Sequence, residues 1–145
     1  FNVISDNVIM HGTTRAYSEK NRQMIKKRIE EIIEGISNSF NAIIKIKYKE
    51  GYPPTVNHDL PVKNVLLAAK DIVGDQAKSP YLSMGGEDFS YYLQKIPGCF
   101  FFVGSAPEKN DILSTPHHCS HFDIDERSLL VGASVYLNLI ENAFK

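Results

Sequence analysis

His117, His118, Cys119 and His121 stand within five consecutive positions, in the stretch TPHHCSHFDIDE that runs from Thr115 to Glu126. Imidazole and thiolate are the donors that borderline metals such as zinc prefer, so the stretch is a candidate metal loop. Neighbouring side chains on an irregular segment diverge, and one such loop rarely supplies a whole tetrahedral ligand set. The other histidines, His11 and His58, and the other cysteine, Cys99, fall in no CxxC, HxxxH or HExxH spacing. The loop is therefore either polar surface or one contribution to a larger metal centre.

Three further sets can do chemistry. Gly85-Gly86 precedes Glu87-Asp88-Phe89, where a helix is expected to open; glycines there allow close backbone approach of an anion to free N–H groups, or simply make a tight turn. Asn2 and Arg15 bracket the first extended stretch, and an Arg fork grips a carboxylate while an Asn amide donates beside it, although a lone Arg in a strand is usually surface. Asp123, Asp125 and Glu126 follow the histidines, and the last two most simply cap and start a helix. No GxSxG turn and no GxxxxGK[ST] loop is present, which disfavours serine-hydrolase and nucleotide-binding chemistry.

The elements that must position these groups follow from periodicity. Residues 1–17 are rich in β-branched types and read as extended. Ser18 is set to cap a helix whose Ile25, Ile29, Ile32, Ile33 and Ile36 share a face, with Lys26, Lys27, Glu30, Glu31 and Glu34 on the solvated side. After Asn38-Ser39, residues 42–49 alternate as a strand with one wet face, Ile44, Ile46 and Tyr48 opposing Lys45, Lys47 and Lys49. Pro53-Pro54 interrupts regular structure and places a boundary there. Beyond it come a helical stripe of Val62, Val65, Leu66, Ala69, Ile72 and Val73, a short strand at 81–84, and a second stripe of Phe89, Tyr92, Leu93 and Ile96. The all-apolar run Cys99 to Val103 reads as a strand covered on both faces. A last helix is expected from about Asp125 to Phe144, with Leu129, Ala133, Tyr136, Leu137, Ile140 and Phe144 inward. The second part is then an α/β layer structure with fewer strands than a self-sufficient sheet, and the first part half or more of a small α+β sandwich.

Composition narrows the partners. Sixteen basic against 17 acidic residues in 145 give a net charge of −1, with no electrostatic case for nucleic acid or an anionic membrane. No apolar run approaches a bilayer span, and FNVISDN lacks a signal-peptide layout, although the chain opens on Phe1 rather than Met. Cys99 in its apolar run reads as a buried free thiol, which fits a reducing, cytoplasmic setting.

In order along the chain, Asn2-Val-Ile, Gly12-Thr-Thr-Arg15, Gly51-Tyr-Pro-Pro-Thr-Val-Asn57, Gly85-Gly-Glu-Asp-Phe-Ser90, Pro97-Gly-Cys-Phe-Phe-Phe-Val-Gly104, and His118 with Phe122 and Glu126 make up six blocks. Together they resemble the carboxyl-terminal part of the dinuclear metal amidohydrolases, a family of aminoacylases, hippurate hydrolases, N-acetyl-diaminopimelate deacetylases and glutamate-releasing carboxypeptidases. The resemblance implies a C-terminal portion of an α/β catalytic domain, residues 53–145, and the second half of an α+β, ferredoxin-like lid that also dimerises, residues 1–52. It implies two divalent metal ions (zinc, manganese or cobalt) with His118 as the one ligand supplied here, and a general-base Glu upstream of these residues. It implies that Asn2, Arg15, Gly85 and Gly86 hold the carboxylate or carbonyl of an N-acyl amino acid or small peptide, in a homodimer. A chain of this kind is expected to be silent alone. The competing readings are a non-catalytic lid and dimerisation module binding through a sheet edge, and a structural metal domain built on His117, His118, Cys119 and His121.

Overall fold

Ser18 starts the longest element. In the computed structural model, which describes residues 2–78, 82–106 and 117–144, its Oγ accepts from the Asn21 N–H at 3.2 Å and opens helix α1, Glu19–Phe40. Asn41 closes α1 in the left-handed conformation (φ 50°), a position its short polar side chain tolerates. Ile25, Ile29 and Ile33 are half-buried, whereas Ile32 and Ile36 of the expected stripe lie exposed. Helix α2 (Asp59–Val73) ends at Gly74, whose positive φ of 59° suits glycine, and a 3₁₀ turn follows at Gly74–Gln76. Helix α3 is the five-residue Phe89–Leu93, and α4 runs Arg127–Ala143.

The chain divides into two units. The first comprises Phe1–Pro54 with Met84–Asp88; the second comprises Thr55–Ser83 with Phe89–Lys145.

In the first unit α1 carries the extended flanks. The Thr14 and Tyr48 hydroxyls meet at 2.8 Å, and the Lys26 ammonium lies 5.3 Å from the centre of the Tyr48 ring while donating to Glu50 Oε1 at 2.8 Å. These side chains, rather than a backbone ladder, hold residues 42–50 beside the first stretch.

In the second unit α2 packs against α4, burying Val65, Ala68 and Val135. A fully buried valine contributes about 1.5–3 kcal/mol. Two backbone segments are clamped by side chains. Asn57 Nδ2 donates to Phe100 O at 2.8 Å and Asn57 Oδ1 accepts from Phe100 N–H at 2.7 Å; His58 N–H donates to Gly98 O at 3.0 Å, and His58 Nδ1 accepts from Gly98 N–H at 3.2 Å. His58 thus spends its acceptor on Gly98 rather than on capping α2.

The expected α/β catalytic portion and α+β ferredoxin-like lid portion are corrected here: the described residues are helical and extended, with no strand or sheet among them. Alternation at 42–49 and the apolar run at 99–103 select extended backbone, but a strand also needs a neighbour that completes its N–H and C=O ladder. Within that run the backbone of Phe100 pairs with the Asn57 side chain instead. Of the strand expected at 81–84, Tyr81 lies outside the described residues. The inward face of α4 is also corrected. Leu129, Tyr136, Leu137 and Ile140 are all more than half exposed, and α2 meets the face that carries Val135. Helix α4 is apolar on both sides, so periodicity alone does not choose between them.

Candidate functional site

Arg15 ends the first extended stretch and reaches across the first unit, its Nη1 donating to Met84 O at 2.8 Å. Gly86 lies beside it. A Cβ built at Gly86 would stand 3.8 Å from Arg15 Nη1 and 3.3 Å from Tyr52 Cδ2, so the glycine lets a guanidinium and an aromatic edge approach one backbone position. Gly51, next to Tyr52, accepts from Arg22 Nη1 at 3.4 Å, and Pro53 is buried. Arg22 also pairs with Glu19, whose carboxyl is held below its ordinary value chiefly by that hydrogen bond. The segment bearing Tyr52 is therefore fixed from α1.

Three of the four expected substrate-binding residues come together in this unit: Arg15, Gly85 and Gly86. Asn2 is exposed and no hydrogen bond joins it to Arg15. Exposed and spending one donor on Met84 O, Arg15 keeps further N–H groups of its five-donor fork for an anion.

The histidine loop belongs to the second unit, with Thr115 and Pro116 outside the described residues. His118 adopts a left-handed backbone (φ 68°), uncommon for a residue with a Cβ. His117 and His118 ring centroids are 6.5 Å apart, and His117 also leans on Phe122 at 5.0 Å. The loop closes through Phe122 N–H to Cys119 O (3.2 Å) and is anchored where Asp125 N–H donates to Ser105 O at 2.8 Å. Asp125 Oδ1 accepts from Arg127 N–H at 2.9 Å at the start of α4, whose N-cap Glu126 makes no side-chain cap bond, while the Arg127 guanidinium holds the Asp125 carboxyl below the ordinary range. His117, His118 and His121 are exposed and Cys119 is half-buried. Among the described residues no three His, Cys, Asp or Glu side chains form a group able to hold a metal ion. By themselves these residues do not fit a complete metal centre.

Sequence reasoning missed Tyr52 and the Asn57–His58 clamp. The signal was present in Gly51-Tyr-Pro-Pro-Thr-Val-Asn57, read only as a boundary and a block of resemblance. Cys99 is half-buried as a free thiol, and burial pushes its pKa up.

The described residues thus place an exposed Arg beside a glycine turn in the first unit and a histidine loop in the second. The sequence matches peptidase family M20/M25/M40 over residues 4–142, and the chain belongs to that family. It is 40% identical over 136 residues to the protein named "Putative amidohydrolase YhaA" of Bacillus subtilis (strain 168), covering 93% of this chain and 34% of that one. It is 35% identical over 147 residues to "IAA-amino acid hydrolase ILR1-like 6" of Arabidopsis thaliana, covering 96% of this chain and 31% of that protein. The chain spans about a third of the length of the curated relatives it matches. No solved structure matches it. Among the described residues no helix is long and apolar enough to cross a membrane.

Proposed function

We propose that this chain is the C-terminal portion of a metal-dependent amidohydrolase that cleaves the amide bond of N-acyl amino acids or small peptides in the cytoplasm. Its part is to hold the substrate. Arg15 binds the substrate carboxylate, Gly85 and Gly86 give it a backbone wall without side chains, and Asn2 donates to the same end of the substrate in the assembled homodimer. His118 supplies one ligand to a dinuclear zinc, manganese or cobalt centre completed by residues outside this chain. The metal pair, when bound, polarises the scissile carbonyl and acidifies water. The observation that carries the reading is the convergence of Arg15 and Gly86 at one backbone position, in a chain of this family.

The experiment is amino-acid release from N-acyl amino acids by the longer hydrolase containing these residues. A hydrogen bond to a charged group contributes about 1.5–3 kcal/mol, so Arg15→Gln raises KM roughly 10- to 150-fold. His118→Ala removes turnover, and the 145-residue chain alone is silent. Turnover by the isolated chain, or an unchanged KM in Arg15→Gln, overturns the proposal.

A further inference from the structure

We infer that Tyr52 selects the ligand side chain, favouring amino acids with a flat apolar or aromatic group beside the carboxylate held at Arg15. The inference rests on the carboxylate reading of Arg15 proposed above. Three observations carry it.

Tyr52 converges with the cation. Its Cδ2 and Arg15 Nη1 lie 3.3 Å and 3.8 Å from the same point, the position of a Cβ on Gly86. A ligand whose carboxylate occupies the guanidinium therefore places its Cα substituent near the ring, because carboxylate and side chain diverge from a single carbon.

Tyr52 is also held before any ligand arrives. Gly51 is tied to α1 through Arg22, Pro53 is buried, and the two prolines fix φ on the far side. A wall prepared in this way loses little freedom when a ligand stacks on it. Finally, Tyr52 is 51% exposed, so it can be reached from solvent. Gly86 meets the opposite requirement: any side chain there would fill the space between ring and cation.

The test is isothermal titration of N-acetylphenylalanine and of N-acetylglycine into the 145-residue chain and into Tyr52→Ala, Tyr52→Leu and Arg15→Gln. An aromatic pair contributes enough that Tyr52→Ala is expected to weaken N-acetylphenylalanine about 2- to 12-fold while moving N-acetylglycine less than about twofold. Tyr52→Leu, which keeps an apolar side chain in place, gives the same direction with a smaller loss and serves if the alanine variant does not fold. Arg15→Gln weakens both ligands together. Equal losses for both ligands in the Tyr52 variants, or none, would assign Tyr52 a structural role and overturn the inference while leaving Arg15 intact. Failure of the unmodified chain to bind either ligand, or indifference of both to Arg15→Gln, removes the carboxylate reading itself and the inference with it.

Discussion

Asn57 pairs with Phe100 through both ends of its side-chain amide, donating to the carbonyl at 2.8 Å and accepting from the N–H at 2.7 Å, as a neighbouring strand would. Each such bond contributes about 1 kcal/mol net, and stranding a partly buried backbone group adds to the loss. Asn57→Ala is expected to lower stability by about 2–3 kcal/mol in urea unfolding followed by circular dichroism. Asn57→Asp, which keeps only the acceptor at neutral pH, falls between. A loss in Asn57→Ala below about 0.5 kcal/mol would mean that the clamp does not hold residues 98–100 in place.

Two glycines of the second unit separate tight packing from free space. A Cβ at Gly98 would stand 3.1 Å from Leu93 Cδ2, and Leu93 is buried; a Cβ at Gly132, within α4, would meet Val103 Cγ2 at an ordinary 3.7 Å. Gly98→Ala is expected to destabilise by about 1–3 kcal/mol through overpacking. Gly132→Ala is expected to stabilise by about 0.5–1 kcal/mol by removing a helix-interior glycine. Thermal melts of the two variants moving in the same direction would contradict this packing.

How much of this was legible in the sequence depended on the range of the interaction. Ser18 and Asn41 bound α1 through groups three and four residues away, and the N-cap was readable from residue type. The absence of strands among the described residues was not, because alternation at Ile44, Ile46 and Tyr48 describes a face while a sheet is a property of two segments. The exposed stripe of α4 was misassigned for a related reason: with apolar residues on both sides, the partner helix decides which side is buried. At the candidate site, Arg15, Gly85 and Gly86 were readable by chemistry and resemblance. Tyr52 was not, since its place beside Gly86 depends on a contact between residues 34 positions apart.

Burial raises the Cys99 thiol above its ordinary value of 9.0, so the folded chain retains a proton that the unfolded chain releases in alkali. The folded state binds more protons there, and the Cys99 contribution to stability is expected to be level below pH 9 and to fall as pH rises past it. Cys99→Ala flattens that alkaline slope in unfolding measured across the range. A slope unchanged in the variant would place its origin elsewhere.

At the acid end Glu19, held low by hydrogen bonds from Arg22 and Gln23, works with the opposite sign. Its contribution is present above the ordinary value of 4.5 and is lost as pH falls through the lowered one. The group is solvent-exposed, so the effect is small and screened. Melting curves of Glu19→Gln should lie below those of the unmodified chain at neutral pH and low salt, and converge with them both in acid and in molar salt. A gap that persists in acid would show that the carboxylate charge is not its source.

Whether His118 is one ligand of a metal centre completed outside this chain is decided by calorimetric titration of zinc and manganese into the purified chain and into His118→Ala. Neither protein is expected to show a saturable stoichiometric site, and both keep the same fold. Tight one-to-one binding that disappears in His118→Ala would contradict that expectation, because the loop from His117 to His121 would then be a metal site complete in itself.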